Sequence, residues 1–462
     1  MKIEVSNLGV IKDAEVDLKP LTIFVGSNNA GKTWLAYTLS AILGPYGWRK
    51  YTNAYVADEI QDSYPTLETA IQLVLDEGNT KIDLVDFADK HGEKYINNVA
   101  KLAKQWMREF MSTEQALFDN LDVNVRLTET KEAFLKWILN HPLDRKLSVG
   151  RGKRPPLISV LKEAGERELF IYTSTEENVS ENLPPKAVKD FVVNSVFGAL
   201  HQALYPFLYI FPTERTTFIT FPFSSKEILA SEAPQHEQGS KAMIGPVGHF
   251  IEMIGAAFQS SLSRRKREAK NNSAIREYIR LADLLEKHIL SGGVDFSTPE
   301  PEPRRELLFR PAVDVALEIP IASSMVKELS PLVLYLRYLA EKGEWLVIDE
   351  PEMNLHPEAQ VRLTEFLAML VNAGLHVLIT THSPYMVDHL ANLIKAAESP
   401  KPEAIKNKFY LKRKDAFISK DNVSVYLVDH GKTENILDEN GVIHWDTFSK
   451  VSDRVAELYF EL

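Results

Sequence analysis

The sequence predicts an α/β protein whose core is a mixed sheet, with a small antiparallel sheet at its N-terminal end and a large helical insertion. Three observations predict it. An apolar run, Leu21 to Val25, leads through a glycine-bearing loop into a helix-like stretch from Thr33 to Ser40. Two further apolar runs of strand length, Trp345 to Ile348 and Leu375 to Thr380, each end in residues able to do chemistry. Between these two ends of the chain, residues 45–200 carry mostly amphipathic helical periodicity, as in Lys94 to Met111 and Lys131 to Asn140.

The chain opens with two strand patterns, Lys2 to Val10 and Ala14 to Leu18, which account for the small antiparallel sheet. The loop that follows the next strand runs Gly26, Ser27, Asn28, Asn29, Ala30, Gly31, Lys32, Thr33 and matches G-x-x-x-x-G-K-[ST] between a strand and a helix. In that setting Gly26 and Gly31 let backbone N–H groups wrap a phosphate, and the helix N-terminus adds a favourable dipole. Lys32 is placed to reach the β- and γ-phosphates of a nucleoside triphosphate, and the Thr33 hydroxyl to ligate Mg²⁺.

The Trp345 strand delivers Asp349 and Glu350 to its carboxyl end, where ligands sit in an open α/β sheet. Asp349 is the candidate metal ligand, holding Mg²⁺ directly or through water. Glu350, one residue on, is the candidate base that orients or deprotonates an attacking water. The bland alternative, a solvated acidic strand end, leaves unexplained the Asn354-Leu-His-Pro-Glu-Ala-Gln360 stretch and the Thr381-His382-Ser383 end of the second apolar strand.

These four motifs in this order resemble the ABC-type ATPases of the SMC, RecF and OLD group, and the resemblance covers both ends of the chain. It implies a P-loop NTPase head of the ABC type, with ATP and Mg²⁺ as cofactors. It also implies a homodimer in which two chains sandwich two ATP molecules. By that resemblance His382 is the switch histidine that meets the γ-phosphate, catalytic together with Glu350 and Lys32, and Asn354 to Pro357 form the loop that crosses to the partner.

ABC ATPases also present a signature serine to the opposite subunit. Leu290-Ser-Gly-Gly293 has the spelling but not the spacing, because a Pro/Glu stretch and two strand patterns, Leu307 to Arg310 and Val313 to Ile319, separate it from Asp349; Ser291 reads as a loop. Ser323 and Ser324 fit better, since one apolar-periodic helix, Val326 to Ala340, carries the chain from them to the Trp345 strand. Met325 stands where OLD-like relatives carry glycine. Ser330 before Pro331 is a third candidate, or simply the N-cap of a helix. No glutamine occupies the remaining switch position after the strand pattern at Leu208, where Glu214 and Arg215 either substitute for it or form a surface salt-bridge loop.

Zero cysteines exclude disulfides and suit a cytoplasmic setting; no leader pattern and no membrane-length apolar run is present. A net charge of −11 argues against broad coating of nucleic acid, while leaving room for local contact through Arg264 to Arg267 with Lys270, or through Arg145, Lys146, Arg151, Lys153 and Arg154. Both runs read equally as solvated faces.

The expected organisation is therefore residues 1–44 for the first part of the head, 45–200 for a mainly helical insertion without sustained heptads, and 201–322 for the switch strand and signature lobe. Residues 323–395 then carry the signature, Asp349, Glu350 and His382, and residues 396–462 complete the head. The tail adds strand patterns at Phe409 to Leu411 and Val423 to Val428, and a hairpin turn at Asp438 to Gly441. OLD nucleases continue into a TOPRIM domain, for which this tail is short. Asp429 and the 438–441 turn do not make its carboxylate set, so the chain is expected to lack nuclease activity. The closest resemblance is thus to OLD-like ATPases without a nuclease domain. It implies an ATP-driven switch that governs a separate effector protein in anti-phage defence, with a RecF-like DNA-repair ATPase as the alternative.

Overall fold

The computed structural model describes residues 1–148, 156–173, 184–220, 245–302, 305–445, 454 and 457–459. The chain divides into two compact units, each with its own core. Arg151, Lys153 and Arg154 of the second basic run lie outside the described residues.

The first unit comprises Met1–Leu8, Thr38–Arg108 and Leu117–Phe207. Helices Pro45–Val56, Pro65–Glu77 and Pro185–Gln202 and most of the long helix Leu84–Phe110 pack around an aromatic centre. There Tyr95 stacks on Phe197 with ring centroids 4.8 Å apart, and the Tyr51 and Tyr64 hydroxyls meet at 2.9 Å. Those hydroxyls satisfy each other, as buried polar groups must. The insertion is not purely helical. It also holds an antiparallel sheet in the order Asn79–Asp83, Glu168–Thr173, Ile158–Lys162, Leu143–Leu147. These strands are five or six residues long, so their alternation, such as buried Leu169 and Ile171 beside exposed Phe170 and Tyr172, is too brief to stand out among helical periodicities. The first strand, Lys2–Leu8, pairs antiparallel with Asp122–Arg126, a partner supplied from within the insertion.

The second unit comprises Gly9–Tyr37, Glu109–Ala116 and Leu208–Leu462. Its sheet runs Ile11–Asp17, Lys432–Asn435, Val423–Asp429, Leu21–Val25, His376–Thr381, Trp345–Asp349, Leu208–Phe211. The last five strands are mutually parallel, and the pairing of Lys432–Asn435 with Val423–Asp429 is antiparallel, which makes the sheet mixed. Leu21–Val25 and Trp345–Asp349 are buried along their whole length, as expected of parallel strands covered on both faces. The covering helices include Pro246–Gln259, Ser324–Tyr338, Pro357–Asn372 and Pro384–Ala397. Their apolar faces join the sheet in one core around Leu334, Leu346, Leu367 and Leu390.

Three local expectations are corrected. Pro331 lies inside the helix Ser324–Tyr338 and not in its first turn; Ser323 is the N-cap, accepting the Val326 N–H at 3.4 Å, and Ser330 is fully buried in mid-helix. Phe409 to Leu411 is no strand, because the Tyr410 and Leu411 N–H groups donate to the buried Glu365 carboxylate at 2.9 and 2.7 Å instead of to a neighbouring strand. The turn after Asp438 is present, with Asp438 Oδ1 accepting the Asn440 and Val442 N–H groups at 2.8 Å each. Among the described residues its arms meet through the bridge Leu437 to Ile443 and through His444 and Asp438 at 3.1 Å, without a regular ladder, since residues 432–435 pair with Val423–Asp429. Leu307–Ala312 and Val315–Glu318 form the two expected strands of a hairpin, and Ser291 is the left-handed residue after a short π-helical turn.

Candidate functional site

The strand Leu21–Val25 runs straight into the loop and the helix Lys32–Leu43 begins at its end. Gly26 has φ +148°, and a methyl group there would stand 2.3 Å from the Val428 carbonyl oxygen. Gly31 has φ +98°, and a methyl group there would stand 2.8 to 3.0 Å from the Ile11 and Val10 side chains. Both positions demand glycine on conformation and on space. The Lys32 side chain is threaded back through the loop, its Nζ donating to the carbonyl oxygens of Gly26 at 3.1 Å and Ser27 at 2.9 Å. Burial pulls its pKa below the usual lysine range, against the opposing charges of Glu350, Asp349 and Glu352.

Asp349 is buried at the end of its strand and ringed by hydroxyls. Thr33 Oγ1 donates to its Oδ1 at 2.9 Å, Thr213 Oγ1 to Oδ2 at 2.5 Å, Tyr37 OH to Oδ2 at 3.3 Å, and Thr380 Oγ1 to Oδ1. Four neutral donors satisfy the buried carboxylate. The Tyr37 hydroxyl is in turn held well above the usual tyrosine range by burial and by Asp349. Thr33 and Asp349 set hard oxygen donors side by side, the chemistry that Mg²⁺ selects.

Glu350 turns out of the strand with φ +46°, its N–H donating to Thr380 at 3.1 Å. Its Oε1 lies 3.0 Å from His382 Nε2, which itself is 3.1 Å from Lys32 Nζ. The hydrogen bond from His382, opposed by burial and assisted by the charge of Lys32, holds the Glu350 carboxyl below its ordinary range. His382 is fixed from behind, where Glu352 Oε1 accepts its N–H at 2.7 Å and the Thr381 hydroxyl at 2.6 Å. Burial pushes Glu352 upward despite those two bonds. Ser383 then caps the helix Pro384–Ala397 by accepting the Met386 N–H at 3.2 Å.

A cavity of about 660 Å³ opens above these groups, lined by Asn28, Asn29, Gly31, Lys32, Thr33, Glu350 and His382, with Gly9, Val10 and Trp34 on one wall. Ser27 is exposed at the loop tip and Ala30 closes a turn onto its carbonyl at 3.4 Å. Ser323 and Ser324 are exposed at the start of their helix and do not line this cavity. Sequence reasoning missed the hydroxyls of Tyr37, Thr213 and Thr380 and the carboxylate of Glu352. Tyr37, one helical turn after Thr33, and Glu352, the second acid of Asp-Glu-Pro-Glu, were the available signals.

The two readings of Glu214 and Arg215 separate. Arg215 is buried, pairs with the equally buried Glu328, and donates from Nη1 to the carbonyls of Pro212 at 2.8 Å and Asp349 at 2.6 Å and from Nη2 to that of Glu350 at 2.9 Å. It is no surface salt bridge. Burial raises Glu328 to about 7 against the pull of Arg215. In the basic run, Arg265 is also committed inward, donating to Glu341 at 2.7 Å and to the Ala340 carbonyl, while Arg264, Lys266, Arg267 and Lys270 remain exposed. Among the described residues no helix is long and apolar enough to cross a membrane.

Two family models match the chain. Residues 1–141 match one described as "AAA ATPase domain", and residues 224–388 match one described as "AAA domain, putative AbiEii toxin, Type IV TA system". Between them these matches take in the Gly26–Thr33 loop and the Asp349 to His382 segment, and they support ATPase function. No curated protein matches. Among solved structures, an Smc head bound to the C-winged helix domain of ScpA is 11% identical, with a TM-score of 0.36 over 94% of this chain and 96% of that one. An Smc head with an extended coiled coil bound to the C-terminal domain of ScpA from Pyrococcus furiosus is 10% identical, with a TM-score of 0.36 over 99% and 98%.

Proposed function

We propose that the chain binds ATP with Mg²⁺ in the cavity above Lys32, hydrolyses it, and works as a dimeric switch over a separate effector. The observation that carries this reading is the convergence of Lys32, Thr33, Glu350 and His382 on one cavity from three separated stretches of sequence, with Asp349 buried behind Thr33 and bonded to it. The loop N–H groups and Lys32 bind the phosphates, with Lys32 giving up its loop carbonyls for phosphate oxygens. Thr33 and Asp349 would hold Mg²⁺, which would supply positive charge against the phosphates. Glu350 accepts a hydrogen bond from the attacking water and takes its proton, and His382 donates to the γ-phosphate.

Ser323 and Ser324, exposed and away from the cavity of their own chain, are suited to complete the site of a second copy, so that nucleotide state becomes dimer geometry. A cytoplasmic switch that governs an effector in anti-phage defence accords with the toxin–antitoxin wording of one matching family description. Glu350→Gln tests the chemistry: it should bind ATP as the natural protein does and release phosphate at least about 100-fold more slowly. Unchanged steady-state turnover would remove Glu350 from its role. For the biological role, co-purification of an effector, and loss of plaque reduction on Lys32→Ala, are expected; normal protection by Lys32→Ala would sink the defence reading.

The exposed Arg264, Lys266 and Arg267 favour a second reading, a RecF-like ATPase that grips DNA. It requires ATP-dependent, salt-sensitive binding to gapped DNA that is lost when these three are neutralised. Absence of binding at low salt with ATP would exclude it.

A further inference from the structure

Arg215 reaches the Asp349–Glu350 turn from inside the protein. Its guanidinium grips two successive carbonyls of that turn, those of Asp349 and Glu350, and a third at Pro212. Glu350 sits in the left-handed region, at φ +46°, where a residue with a side chain stays only if its surroundings hold it. A planar fork with donors on two nitrogens fixes the orientation of consecutive peptide groups as a point charge cannot. The direction in which the Glu350 carboxylate leaves the backbone therefore depends on Arg215.

The charge on Arg215 is answered by Glu328, and both side chains are out of contact with water. Glu328 stands four residues beyond Ser324, about one turn into the helix that opens at the exposed pair Ser323 and Ser324. A buried ion pair tolerates little stretching, because separating the charges strands both in a medium that solvates neither. A shift of that helix must then be followed by Arg215 or opposed by it.

We propose that Arg215 is the positioning residue for Glu350, and that its pairing with Glu328 couples the helix beginning at Ser323 and Ser324 to the hydrolytic step in the same chain. The inference rests on the reading of Glu350 as the water-activating group. A partner that engages the exposed serines moves Glu328, Glu328 moves the guanidinium, and the guanidinium turns the two peptides that aim Glu350. Coupling of this kind is reciprocal, so ATP held in the cavity also sets the position of the helix.

Two variants test it in the full chain. Arg215→Lys keeps the charge beside Glu328 and loses the fork; Glu328→Gln keeps the shape and loses the countercharge. Each is measured for ATP dissociation constant and for single-turnover phosphate release, the rate being scaled to the nucleotide bound. The expected result is release at least about 10-fold slower in both, with ATP affinity within about threefold of the natural protein. A purely structural pair would lower the melting temperature and leave the rate per bound nucleotide unchanged. Rates within twofold of the natural protein in either variant overturn the proposal, as does a parallel loss of binding and rate. If the natural protein releases phosphate and Glu350→Gln stalls while these variants do not, the coupling fails and the hydrolytic reading stands. No phosphate release by the natural protein overturns both.

Discussion

The carboxylate of Glu352 holds the backbone of His382: one oxygen accepts the His382 N–H at 2.7 Å and the Thr381 hydroxyl at 2.6 Å. The histidine is thus aimed by an acid 30 positions earlier in the chain. Glu352→Ala leaves two donors without their acceptor beside the cavity. Turnover should fall by about 10- to 100-fold with ATP affinity little changed, and Glu352→Gln, which keeps a carbonyl acceptor, should retain more activity. Equal turnover for the two variants in steady-state phosphate release would refute this.

Asp349 accepts four hydroxyl hydrogen bonds, so an amide in its place turns an NH₂ group toward donors. Asp349→Asn should raise the Mg²⁺ concentration needed for half-maximal hydrolysis at least about 10-fold, and EDTA should abolish hydrolysis in the natural protein until Mg²⁺ is restored. Hydrolysis that persists in EDTA would exclude the proposed metal role.

Gly26 admits no side chain, since a methyl would stand 2.3 Å from the Val428 carbonyl oxygen. Gly26→Ala should lower stability by about 1–3 kcal/mol and weaken ATP binding, read by thermal melting and nucleotide titration. A variant that melts and binds as the natural protein does would show that the strand Val423–Asp429 is not pinned where it stands.

Glu344 is buried, accepting the Tyr335 hydroxyl at 2.6 Å and the Glu341 N–H at 2.9 Å, and burial raises its pKa to about 7. A carboxyl whose pKa rises on folding favours the fold in its protonated form. Its contribution is complete below the unfolded value near 4.5 and is lost as pH climbs through about 7. Glu344→Gln stays neutral and keeps an acceptor. Between pH 5 and 8 it should be spared roughly 3 kcal/mol of the stability loss seen in the natural protein, measured by denaturant titration at each pH. Parallel pH profiles would contradict the assignment.

The basic run Arg264 to Arg267 divides by burial. Arg265→Ala removes the partner of the Ala340 carbonyl and of Glu341 and should cost about 2 kcal/mol of stability. Alanine at exposed Arg264, Lys266 and Arg267 should change stability by no more than about 0.5 kcal/mol each. A similar melting temperature for Arg265→Ala and the natural protein would argue that this cation is free for a ligand.

The placement of the candidate residues was legible because it is local: Gly26 to Thr33 follow a strand, and Asp349, Glu350 and His382 each lie at or just beyond a buried strand's end. The predicted α/β class with a mixed sheet followed from those same strands. What surrounds the site was not legible. Thr213 and Thr380 carry no mark in sequence that they flank one carboxylate, and Arg215 reads equally as a substitute for the switch glutamine and as part of a surface salt-bridge loop until the fold buries it. The five-residue strands near Asn79 and Ile158 were lost among helical periodicities, and Phe409 to Leu411 read as a strand because apolarity cannot reveal that Glu365 takes its N–H groups. Pro331 suggested a helix start, yet the core around Leu329 and Leu332 continues the helix through it.

The strand that feeds the Gly26 loop lies between Val423–Asp429 and His376–Thr381, and the Val428 carbonyl forms part of the loop's wall. Both flanking strands leave the ribosome some 350 to 400 residues after the loop itself. A nascent chain therefore carries the Gly26 loop through some 350 residues of synthesis before the first of these flanking strands emerges beside it. Under the proposed function, the walls of the loop are completed only along with the carboxylates and the histidine assigned to the hydrolytic step.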